Sequence, residues 1–106
     1  MSDRAWVKAL LLSDLEADWV SLASVNGRQY AIYDTPDGLH ATLAQCSHAG
    51  ALLTDGYFDR FTIECPLHQG CFDVRTGAAT DAPATRPLRT FNVRVHDECI
   101  EIEIEV

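Results

Sequence analysis

Cys46-Ser47-His48 is followed, sixteen residues later, by Cys65-Pro66-Leu67-His68, and each half carries a glycine two places after its histidine, Gly50 and Gly70. The two stretches share one grammar: a thiolate donor, an imidazole donor, then a residue that lets backbone approach closely. Two cysteines and two histidines from two loops describe a metal centre with candidate ligands Cys46, His48, Cys65 and His68.

A mononuclear structural zinc is the plain alternative for such a quartet. Its usual sites place two cysteines two to four residues apart, followed by two histidines. Here each loop supplies one of each, and a single residue separates Cys46 from His48. In extended chain, residues i and i+2 point to the same side, so one loop can lay sulfur and nitrogen along the edge of a two-metal cluster. Two such loops place both thiolates on one iron and both imidazoles on the other. Ligand order and spacing therefore favour a [2Fe–2S] centre with two histidines in place of two cysteines, with zinc as the competing reading.

Working outward, turn residues bound short strands from end to end, and no long helix is apparent. Trp6–Leu12 reads as a first strand and Asp14–Asp18 as a turn or a single helical turn. Trp19–Val25 and Arg28–Asp34 flank Asn26-Gly27, the strongest short hairpin signal. Thr35-Pro36-Asp37-Gly38 is a second turn, after which Leu39–Gln45 leads into the first cysteine loop. Leu52–Phe58 runs out and Phe61–Glu64 returns, which brings Cys46 and Cys65 together. Cys71–Val74 precedes a turn at Arg75-Thr76-Gly77. Ala78–Pro87, with Pro83 and Pro87, reads as irregular extended chain. Phe91, Val93 and Val95 alternate with polar residues, and Ile100, Ile102, Ile104 and Val106 alternate with Glu101, Glu103 and Glu105 across an Asp97-Glu98 turn, a half-buried strand with acid outward. The expected fold is all-β: one domain over residues 1–106, built of small packed antiparallel sheets, with the cluster-binding loops, within 45–71, at one end.

The 106 residues carry a net charge of −8, with 47% hydrophobic and 23% charged residues. That balance argues against nucleic acid or an anionic membrane surface and favours partners with a basic face. No secretory signal or membrane-spanning stretch is read, so a cytoplasmic protein is expected. There, paired cysteines more often mean metal than disulfide.

Cys46-Ser47-His48-Ala49-Gly50 and Cys65-Pro66-Leu67-His68-Gln69-Gly70 resemble the Rieske proteins, and the small size resembles the stand-alone ferredoxin component of bacterial aromatic-ring-hydroxylating dioxygenases. The resemblance implies one [2Fe–2S] cluster, with Cys46 and Cys65 on the inner iron and His48 and His68 on the outer. It implies a monomeric one-electron carrier, not itself an enzyme, between an NAD(P)H-dependent reductase and a terminal oxygenase. The small Rieske subunit of another redox enzyme, of nitrite-reductase type, is the alternative. Backbone amides of Ala49–Leu52 and Leu67–Gly70 are expected to donate to the cluster sulfurs, and Pro83 to shield the cluster. High-potential relatives carry a further cysteine in each loop and serine and tyrosine hydroxyls near the cluster. Ala51, Leu67, Gly70 and Phe72 stand at those places here. The resemblance with these departures implies a potential toward the low end of a range of about −150 to +300 mV.

Other candidates are read as ordinary. His40 is expected to face solvent on a strand and His96 to lie at a turn. Cys71 and Cys99 are expected as thiols, Trp6 and Trp19 as packing residues, and the Glu101, Glu103 and Glu105 series as a solvated face.

Overall fold

In a computed structural model, which describes residues 3–46, 51–67, 70–81 and 86–105, Asn26 and Gly27 adopt φ of 52° and 80°. Two consecutive left-handed residues make the turn whose twist matches that of its flanking strands. It joins β2 (Val20–Val25) to β3 (Arg28–Thr35) with Val25 opposite Arg28. The Thr35–Gly38 turn is closed by the Thr35 hydroxyl, which donates to the Gly38 carbonyl at 2.7 Å, and leads into β4 (Gly38–Leu43). The meander expected from the turn residues forms.

The remaining strands are β1 (Arg4–Leu11), β5 (Tyr57–Asp59), β6 (Thr62–Glu64), β7 (Cys71–Asp73), β8 (Ala79–Asp81), β9 (Thr90–Phe91), β10 (Val93–His96) and β11 (Cys99–Glu105). They form three antiparallel sheets ordered β1-β11-β10, β2-β3-β4-β9 and β5-β6-β7-β8. The expected all-β architecture of small packed sheets is what the chain adopts.

β3 is the strand around which the layers assemble. Tyr30 and Ile32 on one face pack with Ile100, Ile102 and Ile104 of β11. Ala31 and Tyr33 on the other join Phe58, Ile63, Phe72, Val74 and the thiols of Cys46 and Cys65. The second sheet is thus covered on both faces, by the first and third. Burial of the three β11 isoleucines, each 7% exposed or less, stabilises the first interface by roughly 1.5–3 kcal/mol per side chain. Their glutamate neighbours turn outward and are met by polar groups, Arg94 on Glu101 at 2.7 Å and Asn92 on Glu103 at 3.0 Å.

Local structure departs from the sequence reading in several places. Leu52–Phe58 is not one strand: a 3-10 turn at Leu53–Asp55 buries Leu53 before β5 starts. Within the stretch read as irregular, Ala79–Asp81 pairs with β7. The run from Phe91 to Val95 is divided, because Thr90 and Phe91 pair with β4 while Val93–His96 pair with β11. Alternation persists through the crossing, so periodicity alone could not reveal the change of sheet. The first strand ends at Leu11, and Leu12–Asp14 form a 3-10 turn. Trp19 is 37% exposed and touches Tyr57 and Phe58 edge-on. Trp6 lies under the Arg94 guanidinium, 4.4 Å from its ring.

In the cysteine-bearing core the Thr42 hydroxyl donates to the Leu43 carbonyl at 2.8 Å, which leaves the Tyr33 hydroxyl to donate to Thr42 at 2.9 Å. Burial of Tyr33 holds its phenol neutral well above the ordinary tyrosine range. The unfolded chain ionises this group near pH 10 while the folded chain retains the proton. Stability is therefore full below that pH and declines as pH rises above it. Tyr33→Phe should cost about 1 kcal/mol at neutral pH and should flatten the fall in Tm between pH 9 and 11. A variant as alkali-sensitive as wild type would contradict this.

Candidate metal centre

The two cysteine loops are built alike. The Cys46 N–H donates to the Ala51 carbonyl at 2.7 Å, and the Cys65 N–H to the Gly70 carbonyl at 2.8 Å. Outside these bonds, Gln45 bridges Leu52 and Glu64 pairs with Cys71. Each of these four closing positions in the second loop lies nineteen residues after its mate in the first, whereas the two histidines are twenty apart. Each six-residue segment, 46–51 and 65–70, is thus closed at its base by the cysteine's own amide.

This closure turns both thiols inward. Cys46 and Cys65 are 3% and 1% exposed and sit in the core shared with Tyr33, Phe58 and Phe72. Burial pushes the Cys65 thiol up from its ordinary range. The Leu67 amide donates to its sulfur and opposes that rise, and contact with the Cys46 thiol adds to it. Two adjacent buried sulfurs are poor places for negative charge unless a cation lies between them, and a metal makes such thiols into thiolates outright. The donor set therefore fits a metal centre held by sulfur at its buried end.

Gly56 supports the second loop from behind. A Cβ there would overlap the carbonyl oxygen of Glu64, the residue before Cys65. Gly77, with φ 81°, receives the Leu88 amide on its carbonyl at 2.7 Å and so ties down the segment entering β9; a Cβ on Gly77 would overlap the Leu88 carbonyl oxygen. Neither role could be read from sequence, because both depend on which backbone passes the missing side chain.

Of the expected ligands, the structure brings Cys46 and Cys65 together. His48 and His68 lie outside the described residues, as do Ala49, Gln69 and the expected shielding residue Pro83. The Leu67 amide, one of the expected donors to the cluster sulfurs, lies against the Cys65 sulfur. No disulfide joins Cys71 and Cys99, which open strands of different sheets. His40 is half-buried rather than turned fully to solvent, 3.3 Å from Asp37; His96 is exposed beside Asp97 at 3.2 Å.

Residues 5–92 match the family described as the Rieske [2Fe-2S] domain. This chain belongs to the Rieske [2Fe–2S] family. It is 38% identical over 99 residues to the ferredoxin component of the naphthalene 1,2-dioxygenase system of Pseudomonas putida, covering 93% of this chain and 95% of that one. Among solved structures this Rieske protein is similar to the Sphingomonas yanoikuyae B1 ferredoxin, with a TM-score of 0.87 and 30% identity over 94% of this chain and 99% of the other. It is also similar to a chain in the complex of reduced oxygenase and oxidized ferredoxin of carbazole 1,9a-dioxygenase, with a TM-score of 0.83 and 34% identity over 92% and 91% of the two chains. No helix among the described residues is long and apolar enough to cross a membrane.

Since Gly56 sets the position of the Glu64 carbonyl, Gly56→Ala should push β6 away and loosen the second loop. A loss of roughly 1–3 kcal/mol is expected, with weaker retention of the metal centre. Thermal unfolding and iron content measured together check this; a variant that matches wild type in both would refute it.

Proposed function

We propose that this chain is the electron carrier of an aromatic-ring-hydroxylating dioxygenase system, taking electrons from an NAD(P)H-dependent reductase and delivering them to a terminal oxygenase. The observation that carries the reading is the pair of buried, adjacent thiols at the bases of two identically closed loops, in a chain of the Rieske family. The ferredoxin components among its relatives support the dioxygenase assignment. The ferredoxin solved together with its oxygenase supports direct contact with the terminal enzyme.

When bound, the [2Fe–2S] cluster accepts and releases a single electron. The chain's own residues do the rest. Cys46 and Cys65 would hold one iron and His48 and His68 the other. The Leu67 amide donates to Cys65 sulfur and favours its charged form. The buried Phe72 offers no hydroxyl to the site, which keeps the potential low within the family's range. Residues 1–106 act as one domain, monomeric and cytoplasmic. The net charge of −8 steers encounters with basic partner surfaces, and electron delivery should slow as salt is added.

The test is direct. Anaerobically purified protein should be red-brown and contain equal iron and acid-labile sulfide, with a dithionite-reduced EPR spectrum characteristic of mixed histidine and thiolate ligation. His48→Ala and His68→Ala should each abolish that spectrum, whereas His40→Ala and His96→Ala should leave it intact. A colourless protein containing zinc would overturn the assignment.

A further inference from the structure

We infer that the Glu64 carboxylate lowers the reduction potential of the metal centre, and that the positions closing the two loops are where this family member sets that potential. The inference rests on the cluster reading given above.

Glu64 immediately precedes Cys65 and closes the second loop against Cys71. Its side chain is only partly exposed, and its Oε1 accepts from the Cys71 thiol at 3.9 Å. No arginine, lysine or histidine among the described residues forms an ion pair with it. Glu103 and Asp34, also partly buried, are likewise met by neutral donors, whereas two other partly buried carboxylates are met by guanidinium groups. Asp73 takes two hydrogen bonds from the Arg75 guanidinium, at 2.9 and 3.1 Å, and Glu101 takes one from Arg94 at 2.7 Å. A thiol is a weak and neutral donor, so this long contact leaves the charge of Glu64 uncancelled.

The electron that enters the site adds negative charge one residue along the chain from this carboxylate, across β6 from it, since Ile63 and Cys65 turn into the core while Glu64 lies on the other face. Their repulsion is felt through a partly buried region, where charges are screened less than in bulk water. Reduction is disfavoured accordingly, and no bond is made or broken at Glu64.

The near-repeat of the two loops supplies an internal comparison. Gln45 holds the equivalent place in the first loop: it precedes Cys46 and bridges Leu52. It is neutral, and it is exposed where Glu64 is not. The two loops thus differ in charge at a matched position, and the charge falls at the better shielded one.

Redox titration of the cluster-loaded full chain tests the inference. Glu64→Gln, which keeps the shape and makes the second loop resemble the first, should move the midpoint upward with visible and EPR spectra unchanged. Gln45→Glu should move it downward by a smaller amount, because water screens that position more. A native spectrum with an unmoved or lowered midpoint in Glu64→Gln would overturn the inference. If that variant takes up no cluster, Gln45→Glu decides alone, and an unmoved midpoint there overturns it equally. Wild-type protein without iron would instead remove the cluster assignment, and this inference with it.

Discussion

Two amide hydrogen bonds, from Cys46 to Ala51 and from Cys65 to Gly70, are what the site depends on. Each satisfies a donor that would otherwise be stranded at the edge of the core. Each also fixes the direction in which its cysteine leaves the sheet. With both made, the thiols meet below the surface, in a setting that tolerates their charge only around a metal. Broken, either loop would be free to turn its sulfur toward water.

The packing explains why so small a chain holds this arrangement firmly. β3 is covered on both faces, so the sheet that leads to the first loop cannot shift without disturbing two cores. The third sheet carries the second loop, and backbone bonds fasten it at both ends. Val74 donates to the Phe61 carbonyl at 2.9 Å, and Leu88 to that of Gly77 at 2.7 Å. The loops are therefore extensions of rigid elements, as a centre that must keep its geometry in two charge states requires.

Much of this was legible in the residues because its causes are local. Asn26-Gly27 demands a left-handed pair, and the Ile100 to Ile104 alternation demands one buried face; both are properties of a few neighbours. The ligand order in Cys46-Ser47-His48 and Cys65-Pro66-Leu67-His68 likewise points to its chemistry without any coordinates. What escaped was set by distant partners. Asn92 marks a change of sheet inside an unbroken alternation, since β4 and β11 both offer the same kind of edge. Ala79–Asp81 became a strand because β7 had a side to fill, against the weak preference of the surrounding prolines. Gly56 and Gly77 are spacers for backbone that lies eight and eleven residues along the chain. Trp19 packs as its size suggests, but at a rim, where Tyr57 and Phe58 cover only part of its ring.

The pairing of β1 with β11 sets Arg4 opposite Glu105. Both ends of the described chain therefore leave from the first sheet, while the sulfur-bearing core lies beyond the opposite face of the second. A molecule anchored to an electrode through a tag at either end would be held by the first sheet, with the second sheet standing between that sheet and the core of Cys46 and Cys65 whichever end was chosen.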